Sequence, residues 1–106
     1  MEAMAMMPAQ QHLLDGYEAI AVATRRMLEA ARAADWHAFD ARARECNTWM
    51  ERVERLGAAD VLLDPAARRR RMELLGGVLR DDAALRDLLQ PWLGQVDRCL
   101  HGHPAA

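Results

Sequence analysis

Between Asp35 and Gly57 the chain reads DWHAFDARARECNTWMERVERLG. Phe39, Ala43, Cys46, Met50 and Val53 follow one another there at spacings of four, three, four and three. At helical pitch this gathers them into one narrow apolar stripe, flanked by Trp36, Trp49 and Leu56. Alternation of three and four is a seam pattern, and it asks for a long neighbour packed nearly parallel or antiparallel. Arg42, Arg44, Glu45, Glu51, Arg52, Glu54 and Arg55 occupy the opposite, wet face. Asp35 is placed to cap the first turn, and Gly57 can take the left-handed conformation that ends a helix. A helix of about 22 residues is roughly 33 Å long, too long for a short neighbour to cover.

The rest of the chain supplies partners of matching length. A second helical pattern runs from Gln10 to Ala33, with Leu13, Leu14, Tyr17, Ile20, Ala21, Thr24, Met27, Leu28 and Ala31 on its apolar face. Gly16 interrupts it, at a cost of about 1 kcal/mol relative to alanine. Only Ala33, Ala34 and Asp35 separate the two patterns, which forces an antiparallel hairpin. After Gly57, Val61, Leu62 and Leu63 are apolar loop residues expected to tuck against the helices. Asp64-Pro65 reads as a cap followed by a first helical residue. The third helix is expected from Pro65 to Arg80, with Met72, Leu75, Val78 and Leu79 on its apolar face and Gly76-Gly77 allowing another helix to approach. Asp81-Asp82 can cap a further helix over Ala83–Leu89, and Pro91 should kink it or begin a new one. The fold expected is all-α: an antiparallel helical bundle made of a long two-helix hairpin plus two shorter C-terminal helices. Residues 10–100 form the bundle domain, and 1–9 and 101–106 are disordered tails.

Composition narrows the function. With 106 residues and a formal net charge of −2, the chain is one domain without the overall charge of a dedicated nucleic-acid binder. All 14 basic residues are arginine. The densest run, Arg68 to Arg71, reads best as a solvated face, since no helix-turn-helix signature accompanies it. Cys46 and Cys99 make neither a disulfide framework nor a CxxC pair. His37 with Asp40, and His101 with His103, meet no second cluster at ligand spacing, so no metal or other cofactor is expected. No nucleophile motif, carboxylate pair or phosphate loop points to an enzyme. No apolar run is long enough for a membrane span, and MEAMAMMPAQQH lacks the basic start and apolar core of a signal peptide. A cytoplasmic protein is expected.

Two ordered blocks carry a family resemblance. The first is Leu13-Leu14, Tyr17, Ile20, Met27-Leu28, Ala31 and Asp35-Trp36. The second is Asp64-Pro65, Arg69-Arg70, Leu74-Leu75, Leu79, Asp82, Leu85-Arg86, Leu88 and Pro91-Trp92. Over residues 10 to 100 the chain resembles the FliT family of flagellar export chaperones. It departs mildly where Thr24 replaces a frequent serine and where the turn is shortened to AADW. The resemblance implies a small helical protein that holds the disordered C-terminal segment of the flagellar filament-cap protein before type III export and touches the export ATPase complex. In some bacteria the family also binds and restrains the flagellar master transcription activator. The C-terminal helix of the family covers the partner site.

Physical reasoning places that site in an apolar groove left over by the hairpin and suited to an amphipathic partner helix. Its expected walls are Val53 and Leu56 with Met72, Leu75, Val78 and Leu79. Trp92, Leu93 and Val96 are expected to cover it, swinging about Pro91 when a partner arrives. The bland alternative makes all these residues core. Two other functions are open on the sequence: a homodimeric structural bundle that buries the stripe by self-association, and a DNA-binding regulator.

Overall fold

The computed structural model describes residues 2–58 and 63–100, with side chains described for 9–57 and 63–91. Those residues form three helices: α1 (Glu2–Arg32), α2 (Trp36–Ala58) and α3 (Pro65–Leu100). No strand occurs among the described residues. The molecule measures 68 × 26 × 22 Å.

The α1–α2 turn is closed by its own backbone. Ala34 N donates to the Ala31 carbonyl (3.0 Å) and Asp35 N to the Ala30 carbonyl (2.8 Å). This double bond pattern ends a helix through one left-handed residue, here Ala34 with φ of 54°. Asp35 then caps α2, its Oδ1 accepting from Ala38 N at 3.1 Å. Gly57 plays no such part, because α2 continues through it to Ala58.

α1 is the middle helix. Both α2 and α3 pack on it, and the α2 and α3 backbones do not pack on each other. Gly16 faces Val53, Thr24 faces Cys46, and Phe39 packs on the cluster of Leu28, Ala31 and Leu85. Rising numbers on α1 thus meet falling numbers on α2, so these helices run in opposite senses. Gln10 bonds Asp64 and Arg25 pairs with Asp81, so α3 runs in the same sense as α1. Covering on two sides explains why Ala23 and Ala30 are buried along with Leu13, Ile20, Leu28 and Ala31.

Three expectations are corrected. α1 begins at Glu2, not Gln10; the intervening Ala, Met, Gln and Glu residues are good helix formers. The two shorter C-terminal helices are one long helix of 36 residues with Pro91 inside it. Asp81 and Asp82 do not cap a new helix. Their side chains pair instead with Arg25 (3.1 Å) and with Arg86 (2.9 Å), leaving the backbone free to continue. Pro91 cannot donate to the carbonyl of Asp87, but both residues are exposed, so water satisfies that group. The third correction concerns glycines. A Cβ on Gly16 would lie 2.5 Å from Val53 Cγ2, so Val53 of α2 packs into the space that the missing side chain leaves on α1. A Cβ on Gly76 or Gly77 would meet, among the described residues, only the Arg80 guanidinium, at 3.8 and 3.9 Å. Of the expected apolar loop, Leu63 is half-buried; Val61 and Leu62 lie outside the described residues, as does the expected tail 101–106.

The glycines give opposite predictions. Gly16→Ala should lower stability, because displacing Val53 costs about 1–3 kcal/mol against a helix-propensity gain of about 1. Gly77→Ala should raise it by up to about 1 kcal/mol. Ala34→Gly should raise it by roughly 0.5–1 kcal/mol, the relief of a left-handed alanine less the extra chain entropy of glycine. Urea unfolding of the three variants checks all of these.

Candidate functional site

Because α2 and α3 flank α1 without meeting, a groove of about 340 Å³ is left between them. Ile20, Thr24 and Met27 of α1 form its floor. Ala43, Cys46, Asn47 and Met50 of α2 form one wall, facing Val78, Leu79 and Leu85 of α3. Met50 is 52% exposed and Leu79 69% exposed.

The floor makes few polar demands. The Thr24 hydroxyl donates to the Ile20 carbonyl at 2.8 Å. No buried side-chain nitrogen or oxygen among the described residues lacks a partner. Cys46 Sγ donates weakly to Met50 Sδ at 3.9 Å. Met27 and Met50 are unbranched and polarizable, so the groove can adjust to the shape it receives. Its charged rim is the Asp82–Arg86 pair, already neutralised within α3. Nothing in this set offers an activated nucleophile or an acid–base pair. Among the described residues no three His, Cys, Asp or Glu side chains are grouped to hold a metal ion.

The six residues expected to wall the groove separate. Val78 and Leu79 line it. Val53 packs into the core beside Ile20, Ala23 and Cys46, against Gly16. Leu56 lines a different cavity, with His12, Asp15 and Trp49. Leu75 is half-buried and Met72 is 66% exposed; neither lines the groove. Sequence reasoning assigned Met50, Cys46 and Ala43 to a buried seam. The signal it lacked is that α1 supplies the main cover of that stripe while the α3 backbone stays away from α2, so the edge at Met50 stays open. The side chains of Trp92, Leu93 and Val96 lie outside the described residues. Their backbone continues α3 past Pro91 to Leu100, prolonging the helix where the expectation had it folded over the groove.

The α3 wall is held by a clamp at its start. Asp64 Oδ1 accepts from Ala67 N (2.8 Å), capping the helix. Gln10 Nε2 donates to Asp64 Oδ2 (3.0 Å), while Asp64 N donates to Gln10 Oε1 (2.9 Å). The Ala67 amide foremost, then the Gln10 amide, hold the Asp64 carboxyl below the ordinary carboxylate value. With its folded pKa depressed, Asp64 adds stability above the unfolded value of about 3.9, and that stability is lost as pH falls through the folded value. Asp64→Asn keeps a capping oxygen without the titration. The gap in Tm between the native chain and this variant should therefore narrow as pH is lowered from about 5 to about 2, followed by circular dichroism.

No helix among the described residues is long and apolar enough to cross a membrane. No curated protein and no solved structure matches the chain significantly. The family model for FliT, flagellar protein FliT, matches residues 14–102. That span takes in most of α1, all of α2 and all of α3, so the protein belongs to the FliT family of flagellar proteins.

Proposed function

We propose that this protein is a flagellar type III export chaperone whose α2–α3 groove receives an amphipathic helical segment of the filament-cap protein. Family membership supports the flagellar setting. The observation that carries the binding reading is the groove itself, in which Met50 and Leu79 stand more than half exposed over an apolar floor. Two helices that flank a third with their backbones apart leave the place of a fourth, and an incoming helix would complete the bundle. The chaperone works in the cytoplasm, by binding and without a catalytic step or cofactor, and hands its client to the export ATPase complex. Restraint of the flagellar master transcription activator belongs to the same proposal on family membership alone.

Titration calorimetry against the C-terminal segment of the filament-cap protein from the same genome tests this. One-to-one binding with a negative heat-capacity change is expected, as apolar surface leaves water. Leu79→Asp and Met50→Asp should each weaken it at least tenfold, about 1.4 kcal/mol or more. Helicity should hold, because both side chains are exposed in the free chain. Unchanged affinity would remove the groove from the mechanism. A native dimer dissociated by the same substitutions in sedimentation would favour the self-associating bundle.

A further inference from the structure

A second cavity, of about 390 Å³, is lined by His12 and Asp15 of α1 and by Trp49, Arg52, Arg55 and Leu56 of α2. It shares no residue with the groove. Its floor is apolar, with Trp49 and Leu56 half-buried. The Arg52 guanidinium lies 4.8 Å from the centroid of the Trp49 ring, which fixes its position over the indole face.

Arg55 is the second informative residue. Glu51 precedes it by four, the spacing at which Asp40 pairs with Arg44 (2.8 Å) and Asp82 with Arg86 (2.9 Å). Arg55 nevertheless makes no ion pair with any described residue and faces the cavity. The carboxylate in the lining, Asp15, already accepts from Gln11 Nε2 at 2.8 Å. Two guanidinium groups one turn apart therefore stand beside an indole and a leucine without an ion-pair partner among the described residues. Guanidinium groups in this setting favour a carboxylate, which they can grip in bidentate fashion. The apolar floor favours a carboxylate with a hydrophobic side chain next to it.

We infer that this cavity is a second docking site, independent of the groove, for an acidic protein segment carrying an apolar side chain beside its carboxylate. Nucleic acid is the poorer occupant. The chain has a formal net charge of −2, and two arginines in one cavity do not form the extended basic track that a phosphate backbone requires.

The test is selection of a random peptide display library on the full chain carrying Leu79→Asp, which takes the groove out of the readout. Recovered peptides should be enriched in Asp or Glu next to Leu, Phe or Ile. Their affinity should fall at least tenfold with Arg52→Ala plus Arg55→Ala and fall steeply with added salt. Arg52→Lys plus Arg55→Lys keeps the charge, loses the bidentate grip, and should retain only part of the binding. Both arginines are exposed, so circular dichroism of the variants should match the parent. Peptides without acidic enrichment, or peptides that bind the double alanine variant unchanged, would overturn the inference. So would a single-stranded oligothymidylate that displaces the peptides and binds more tightly than they do.

Discussion

Close contact of α1 with a helix on each side is the constraint on which the rest depends. On one side the absence of a side chain at Gly16 lets Val53 sink against α1. On the other, the Gln10–Asp64 clamp and the Arg25–Asp81 pair hold α3 at two levels along the same helix. The charged contacts are exposed at one partner or both, so solvent screens them and they serve mainly to fix register. The apolar clusters built on Ile20, Ala23 and Cys46 and on Leu28, Ala31 and Leu85 supply the cohesion. They are small clusters, and among the described residues no large side chain is completely buried. A bundle closed on all sides would bury more. The open side is the groove between α2 and α3.

Much of this architecture is legible in the residues. The spacing from Phe39 to Val53 announces α2, and Asp35 and Asp64-Pro65 announce two of the helix starts. In each case the information is local: a period of 3.6 or a carboxylate one turn from an unpaired amide. What is not legible depends on distances along the whole chain. Asp81-Asp82 has the form of a cap, and only the arrival of Arg25 from α1 and Arg86 from one turn on shows that both carboxylates are otherwise engaged. Gly16 and Gly77 are alike as letters. One is pressed by the Val53 side chain of α2 and the other meets only an arginine tip.

The candidate site was half visible for the same reason. A stripe on α2 tells which side chains prefer to leave water; it does not tell how many of them a neighbour will cover. α1 covers Cys46 and part of Val53 and leaves Met50 at the edge. Val78 and Leu79 line the groove because they share the arc of α3 that looks across at that edge, whereas Leu56 sits on the opposite flank of α2. Heptad-like spacing on one helix therefore yields two environments at once, a packed near side and an open far side.

α2 presents a different chemistry on each flank, and this bears on how a small carrier could meet more than one partner. Toward α3 it shows Ala43, Cys46 and Met50, soft and uncharged. Away from α3 it shows Trp49, Arg52 and Arg55. A helical client needs long, adaptable apolar contact, which the first surface provides. A short acidic segment needs oriented guanidinium groups over an apolar floor, which the second provides. The two surfaces lie on one rigid element and share no residue, so occupation of one does not exclude the other on steric grounds. The division of the two chemistries follows from the 3.6-residue period of a single helix.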